Sequence, residues 1–169
     1  MPTVKKNTEL LIEAVKRGDA VGVQGLIPLS NPKKHGSYAL RLAAINGHTQ
    51  CVKLLIPVSN PKSNQNYALQ MAAQRGHLQC VELLIPVSDA KANDSAALQY
   101  AAYNGHHECV EVLYPVSNPV VALQKLQHEH PDDYNVWGQL YEMVQAERVR
   151  NTLSTEVGTT HAVKVQRKM

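Results

Sequence analysis

The chain has 169 residues, of which 44% are hydrophobic and 5% are aromatic, and its mean hydropathy is −0.28. This length suits one domain with its own core, the apolar content excludes disorder throughout, and no run approaches the roughly 18 apolar residues of a membrane-spanning helix. Phe is absent, so small aliphatic side chains must build the core, which favours closely packed helices over a sandwich or barrel. Three cysteines, an odd number, and an N-terminus without a secretory signal predict free thiols in the reducing cytoplasm.

The net charge of +3 is unevenly distributed along the chain. Residues 1–62 carry nine Lys or Arg and three acids, a net charge of +6, whereas residues 63–169 carry eight against eleven, a net charge of −3. The two parts therefore present opposite electrostatic fields to a partner.

A repeat with a period of 29 residues runs through most of the sequence. A phrase of the type Leu-Ile-Pro-Val-Ser recurs, with its proline at Pro28, Pro57, Pro86 and Pro115. The same step separates Gly18, Gly47, Gly76 and Gly105, and also Leu11, Leu40, Leu69 and Leu98. Because so many residue types recur at equivalent positions 29 residues apart, the chain is identified as a repeat protein, in which each unit contacts its neighbours.

Each unit is predicted to be a helix, a glycine turn, a second helix and a loop. The polar column Thr8, Ser37, Asn66 and Ser95 supplies residue types that cap a helix N-terminus. The glycine then ends the first helix, because a left-handed residue is favourable there only for Gly or Asn. Proline disfavours helical geometry at the residue before it and so ends the second helix. The four predicted units are residues 8–29, 37–58, 66–87 and 95–116.

Residues 43–55, Ala-Ala-Ile-Asn-Gly-His-Thr-Gln-Cys-Val-Lys-Leu-Leu, resemble the central signature of the ankyrin repeat, and residues 72–84 and 101–113 repeat it in register. The usual ankyrin period is about 33 residues, so the shorter unit places a deletion in the loop between repeats. The usual Thr-Pro-Leu-His opening is replaced by Tyr38-Ala39-Leu40-Arg41. The resemblance therefore implies an all-α, ankyrin-like helical solenoid of about four helix-pair repeats over residues 1–118, with short turns in place of β-hairpin fingers.

Beyond residue 118 the repeat pattern gives way to a predicted C-terminal helical cap over residues 119–157. Residues 120–129 have a helical pattern, and Pro131-Asp132-Asp133 has the composition of the first turn of a longer helix. An apolar stripe follows at steps close to three or four residues, comprising Tyr134, Trp137, Leu140, Tyr141 and Val144. A solenoid needs such an atypical terminal unit. Residues 158–169 lack a clear pattern and are predicted to form a flexible basic tail.

Cys51, Cys80 and Cys109 each follow a histidine by three residues, which in isolation resembles half a metal site. Packed helices lie roughly 8–10 Å apart, so equivalent thiols of stacked repeats are too distant for a disulfide or a shared zinc. We therefore expect them to fill a core position as small hydrophobes. The histidines concerned are His48, His77 and His106, which match the Gly-His pair of the family and for which a local structural hydrogen bond is expected.

No motif in the sequence predicts catalysis, a cofactor or a metal. The densest group of potential ligands, residues 128–133 (His-Glu-His-Pro-Asp-Asp), lacks the spacing of a helix-borne zinc site and fits a polar junction between helices. The sequence has no glycine-rich phosphate loop, nucleophile elbow or paired carboxylates, and a slim stack of helices rarely forms the pocket of an active site. The chain is therefore predicted to be non-enzymatic.

Positions that differ between repeats are the candidates for partner recognition, because the constant positions build the core. In ankyrin-like proteins the two positions after each alanine pair line the concave groove, and others in the first helix and the loop lie nearby. The candidate partner-binding residues are Lys16, Arg17, Lys33, Lys34, Tyr38, Arg41, Ile45, Asn46, Tyr67, Gln70, Gln74, Arg75, Gln99, Tyr103 and Asn104. Arg and Tyr are frequent anchors of interfaces, and the alternative interpretation is a solvated polar face.

These features predict a non-enzymatic protein–protein interaction module that binds a partner protein through the concave groove. The basic residues predict an acidic patch on the partner, and a monomer is favoured. The resemblance extends to compact bacterial and phage-type ankyrin proteins, which implies an adaptor or an inhibitor, including one that acts on a host protein inside a host cell. The alternative is nucleic-acid binding by the basic N-terminal half, which weakens steeply with salt because counterions are released.

Overall fold

The computed structural model describes the backbone of residues 3–166, and it describes burial and side-chain contacts for residues 3–35 and 37–154. Within this range the chain forms ten α-helices and no strand. The helices are α1 (Val4–Lys16), α2 (Ala20–Leu26), α3 (Lys34–Ile45), α4 (Thr49–Leu55), α5 (Ser63–Gln74), α6 (Leu78–Leu84), α7 (Ala92–Tyr103), α8 (His107–Leu113), α9 (Pro119–Glu129) and α10 (Tyr134–Gln166). The predicted all-α solenoid is confirmed, and short turns stand where ordinary ankyrin repeats have β-hairpin fingers.

The helices form two rows along the stack. The inner row consists of α1, α3, α5, α7 and α9, and the outer row consists of α2, α4, α6 and α8. Neighbouring helices contact each other more extensively in the inner row, where small buried residues such as Ala43 and Ala72 allow close approach. The inner row corresponds to the helices that the ankyrin resemblance assigns to the concave side.

A continuous core lies between the rows and contains the repeated columns. Leu40 and Leu69 are fully buried in it, and so are their equivalents in the other repeats. Cys51, Cys80 and Cys109 are buried in the same core and carry free thiols. Burial raises the pKa of each of these thiols, so the uncharged form is favoured. The prediction that the cysteines occupy a core position is confirmed.

The glycine turn after the first helix of each of the first three repeats also joins adjacent repeats. Gly47 has a φ of +70°, and a Cβ at this position would lie 2.6 Å from Nδ1 of His77, which belongs to the next repeat. Nε2 of His77 donates to the carbonyl oxygen of Ile45 at 3.1 Å. Equivalent hydrogen bonds link His48 to Lys16 and His106 to Gln74. The prediction of a structural hydrogen bond is confirmed, but the prediction that it is local is wrong, because the acceptor lies 32 residues earlier and the bond connects one repeat to the one before it.

The connection between repeats has two parts. The second helix ends in a 3-10 turn that contains the repeated proline, as in Ile56–Val58, which agrees with the predicted effect of proline. The following helix then opens with a left-handed turn, in which Asn64, Gln65 and Asn66 have φ values of +51°, +58° and +64°. The left-handed residues of the other repeats are His35 and Ser37, and Asn93, Asp94 and Ser95. This left-handed turn takes the place of a β-hairpin finger.

The polar column predicted to cap the first helices instead holds the loop that follows each repeat. The side-chain oxygen of Asn66 accepts a hydrogen bond from the backbone N–H of Asp89 at 2.8 Å. Thr8, Ser37 and Ser95 accept in the same way from the N–H groups of Asn31, Asn60 and Asn118. The capping prediction is wrong because a capping residue needs an extended backbone, whereas three of these residues are left-handed and Thr8 lies inside α1.

The C-terminal cap consists of α9 and α10. Leu140 and Val144 are buried in the core where α10 packs on α7 and α9, and Nε1 of Trp137 donates to the carbonyl oxygen of His130 at 3.0 Å. The predicted start of the long helix is wrong, since residues 131–133 lie before it. Asp133 accepts a hydrogen bond from the N–H of Asn135 at 3.2 Å, and the helix begins at Tyr134.

The fourth repeat departs from the repeat pattern where it meets the cap. Tyr114 stands in a column that otherwise holds isoleucine, and its hydroxyl donates to a carboxylate oxygen of Glu147 in α10. Burial and this hydrogen bond raise the pKa of Tyr114 to about 12. Nδ1 of His107 likewise donates to Oε1 of Gln139 in the same helix. These two residues therefore adapt the last repeat to its cap.

The last helix extends past the boundary predicted at residue 157, because α10 continues to Gln166. The flexible basic tail predicted for residues 158–169 falls where no side chain is described, and residues 167–169 lie outside the described residues altogether. Across residues 3–166, no helix has the length and apolar character needed to cross a membrane.

Candidate partner-binding surface

Most of the predicted partner-binding residues lie on or beside the inner row with solvent access. The exposed ones are Lys16, Arg17, Lys33, Tyr38, Asn46, Arg75, Tyr103 and Asn104, and the half-buried ones are Lys34, Arg41, Ile45, Tyr67 and Gln74. Gln70 and Gln99 are the two exceptions, each only 6% exposed. The structure thus places the predicted residues along the inner-row helices and at both ends of these helices, and two of them lie beneath the surface.

Gln70 and Gln99 support the left-handed turns. Nε2 of Gln70 donates to the carbonyl oxygen of Gln65 at 2.6 Å, and Nε2 of Gln99 donates to that of Asp94 at the same distance. Arg41 stands in the same column, and its Nη2 donates to the carbonyl oxygen of His35 at 2.8 Å. A long side chain with an N–H group at this column therefore fixes the shape of the turn in three repeats.

Arg41 also places a fixed positive charge at the basic end of the inner row. Its guanidinium carbon lies 5.5 Å from the ring centroid of Tyr38 and 5.6 Å from that of Tyr67. These distances are within the range of cation–π attraction. The two rings and the hydrogen bond to His35 together hold the charge in one place, which lowers the entropy that Arg41 loses on binding a partner.

The charge of Lys16 is partly offset within the chain. Its Nζ lies 2.6 Å from Oε1 of Glu13, one turn earlier in α1. The hydrogen bond between them raises the pKa of Lys16 and lowers the pKa of Glu13. Both side chains are half-exposed, so this ion pair contributes little to stability and opens readily for a partner.

An open cavity of about 220 Å³ lies at the opposite, C-terminal end of the inner row. Gln99, Tyr100 and Tyr103 of α7 line one side of it. Gln74 of α5 lines it as well, and Leu126, Glu129 and His130 come from the end of α9 and the residue after it. This arrangement brings two phenol rings, two amides, one imidazole and one carboxylate together.

The candidate list from the sequence contains three residues of this cavity and misses the other four. Gln74, Gln99 and Tyr103 differ between repeats, and this difference marks them in the sequence. The cavity residues at the end of α9 cannot be found by comparing repeats, because the cap is not a repeat. The only hint is the polar cluster at residues 128–133, and it contains Glu129 and His130.

The cluster at residues 128–133 forms a junction between α9 and α10. The ring of His130 packs against that of Tyr103, with centroids 4.9 Å apart and an angle of 45° between the planes. Its carbonyl oxygen accepts the hydrogen bond from Trp137. Within the described part of the chain, no group of three or more His, Cys, Asp or Glu is arranged to hold a metal ion.

A stack of helix pairs with a constant core and a variable inner row defines a helical repeat protein. A family model for ankyrin repeats (three copies) matches residues 11–86 and 57–122. The matches span more than half of the chain, which therefore belongs to the ankyrin-repeat family. Members of this family generally act as protein–protein interaction modules. No curated protein matches the chain at a significant level.

Proposed function

We propose that this protein is a non-enzymatic module that binds a partner protein along its concave side, as an adaptor or an inhibitor in the cytoplasm. The observation that carries the proposal is the contrast between a constant buried core and an exposed inner row whose charged and aromatic residues change from repeat to repeat. Arg41, held between Tyr38 and Tyr67, is the central anchor. The net charge of +6 over residues 1–62 favours a partner with an acidic patch.

Arg41→Gln tests this proposal with little risk to the fold. Glutamine already occupies the equivalent positions 70 and 99, where its amide donates to a backbone carbonyl of the left-handed turn. The change therefore removes the charge and leaves a residue type that this position accepts in two other repeats. Proteins are captured from the native cell on the immobilised chain and identified by mass spectrometry, and their affinities are then measured. We expect Arg41→Gln to weaken binding of the genuine partner about tenfold.

The matched control is Lys53→Gln, which removes one positive charge from an exposed position of α4 in the outer row. It should leave the affinity unchanged at moderate salt. Equal binding of every captured protein by the wild-type chain and the Arg41→Gln variant would show that the concave side is not the binding surface.

The alternative function is nucleic-acid binding by the basic N-terminal half. It is favoured by the exposed lysines Lys33, Lys62 and Lys91, which recur at one position of successive loops and so could follow phosphates. Fluorescence polarisation with generic DNA and RNA at two salt concentrations tests it, because such binding must fall steeply as salt rises. Absence of binding at low salt eliminates this alternative.

A further inference from the structure

The cavity at the C-terminal end of the inner row has a net negative lining. The carboxylate of Glu129 is the one acidic group that lines it, and none of its lining residues is Lys or Arg. Nε2 of Gln99 donates to the backbone carbonyl oxygen of Asp94, and the amide oxygen of Gln99 can accept a hydrogen bond. The lining therefore offers hydrogen-bond acceptors and negative charge to a ligand that carries donors and positive charge.

The aromatic wall of the cavity is fixed before any ligand binds. Tyr103 packs against the ring of His130, and the hydrogen bond from Trp137 holds the backbone of His130 in place. Trp137 in turn contacts the rings of Tyr134 and Tyr141 edge to face, at centroid distances of 4.8 and 5.8 Å. A preorganised ring loses little entropy on binding, and its face attracts a cation.

We propose that this cavity receives an arginine side chain of the partner protein. A guanidinium is planar, so it can stack on Tyr103 or Tyr100 while its N–H groups donate to the carboxylate of Glu129. The proposal rests on the proposed function and adds the chemistry of the partner to it. The bound segment carries acidic residues opposite Arg41 at one end of the groove and an arginine in the cavity at the other end.

The test uses the full chain and a short probe peptide, acetyl-Gly-Arg-Gly-amide, in an NMR titration. We expect the ring resonances of Tyr100 and Tyr103 to shift with a dissociation constant in the millimolar range, as befits a single side chain. The same peptide with citrulline in place of arginine has nearly the same shape and no charge. It should bind about fivefold more weakly or not at all, since both the cation–π and the carboxylate contacts depend on the charge.

Two variants locate the site. Glu129→Gln removes the carboxylate from an exposed position, so the fold is retained. The affinity for the arginine probe should fall about threefold. Glu82→Gln removes an equivalent charge from the exposed face of α6 in the outer row and should have no effect. Equal binding of the arginine and citrulline peptides, or unchanged binding by the Glu129→Gln variant, overturns the proposal.

This test separates the cavity from the function of the groove. The probe is measured without the partner protein, so failure of the probe removes the arginine site and leaves partner binding along the inner row untouched. Failure of the Arg41→Gln experiment removes the groove function whatever the probe does.

Discussion

Gly47 illustrates how a single residue in this protein serves both the backbone and the contact between repeats. Its φ of +70° lies in the left-handed region, and the ring of His77 occupies the space beside it. Gly105 has the same φ, but no atom lies within 4 Å of the place where its Cβ would be. The two glycines therefore separate the cost of the backbone conformation from the cost of a steric clash.

Alanine substitutions at these glycines should differ in a defined order. Gly105→Ala is expected to lower the free energy of unfolding by about 1 kcal/mol, because of the left-handed backbone alone. Gly47→Ala is expected to lower it by about 2–3 kcal/mol, since the methyl group also displaces His77 and its hydrogen bond. Gly25→Ala, at an open helical position, should be neutral or stabilising. Urea denaturation followed by circular dichroism measures all three, and equal losses at positions 47 and 105 would contradict the packing role of His77.

At the scale of the element, the left-handed turn is the unit that distinguishes these 29-residue repeats from ordinary ankyrin repeats. Non-glycine residues occupy it at a conformational cost, as in Asn64, Gln65 and Asn66. Two hydrogen bonds compensate for that cost, one from Gln70 to the carbonyl of Gln65 and one from the N–H of Asp89 to Asn66. Each turn thus depends on a side chain five or six residues later and on a backbone N–H group in the loop that follows the repeat.

Replacing Gln65 with glycine should stabilise the protein. The residue is exposed, its φ is +58°, and its backbone carbonyl, which accepts the bond from Gln70, is kept in Gln65→Gly. We expect a gain of about 0.5–1 kcal/mol, measured by urea denaturation. Gln79→Gly, at an exposed position of α6, is the control. It should lower the free energy of unfolding by about 1 kcal/mol, because the backbone at this position is helical. A loss at both positions would mean that residue 65 is not left-handed.

At the scale of the whole molecule, the solenoid is a linear array that is closed by a different structure at its C-terminal end. The cap buries Leu140 and Val144, and it bonds to the fourth repeat through Tyr114 and His107. Because each repeat mainly contacts its neighbours, the stability of such an array is a sum of local and interface terms. A defect in the cap should therefore be felt most strongly at that end.

Leu140→Ala tests this view of the cap. Leu140 is fully buried, so the substitution should lower the free energy of unfolding by about 2–5 kcal/mol. Trp137 is the single Trp of the chain and lies in the cap, so its fluorescence reports the cap, while circular dichroism reports all the helices. The urea midpoint should fall further by fluorescence than by circular dichroism. Leu153→Ala, at an exposed position of α10, is the control and should be neutral, and coincident shifts by both probes would indicate one cooperative unit.

The repeat frame could be predicted from the sequence because its determinants are local and occur in several copies. The glycine turns, the proline that ends each second helix and the buried leucine, alanine and cysteine columns each follow from residue type and a 29-residue step. The same reasoning predicts a structural hydrogen bond for the histidines, but it places that bond locally, whereas the acceptor lies in the preceding repeat. The coarse functional class follows from this frame and from the variable positions that it leaves exposed.

Only the tertiary structure decided what the polar column and the cap contribute. Asn66 is a residue type that commonly caps helices, but its side chain accepts a hydrogen bond from the N–H group of Asp89, 23 residues away. The folding of the loop brings this N–H group close to Asn66. The cavity at the C-terminal end of the inner row exists because α9 packs on α7, so that Glu129 and Tyr103, which belong to no common repeat register, line the same cavity. Periodicity in the sequence identifies residues that have the same structural role in each repeat. Contacts between a repeat and a unique terminal unit occur once, so packing alone determines them.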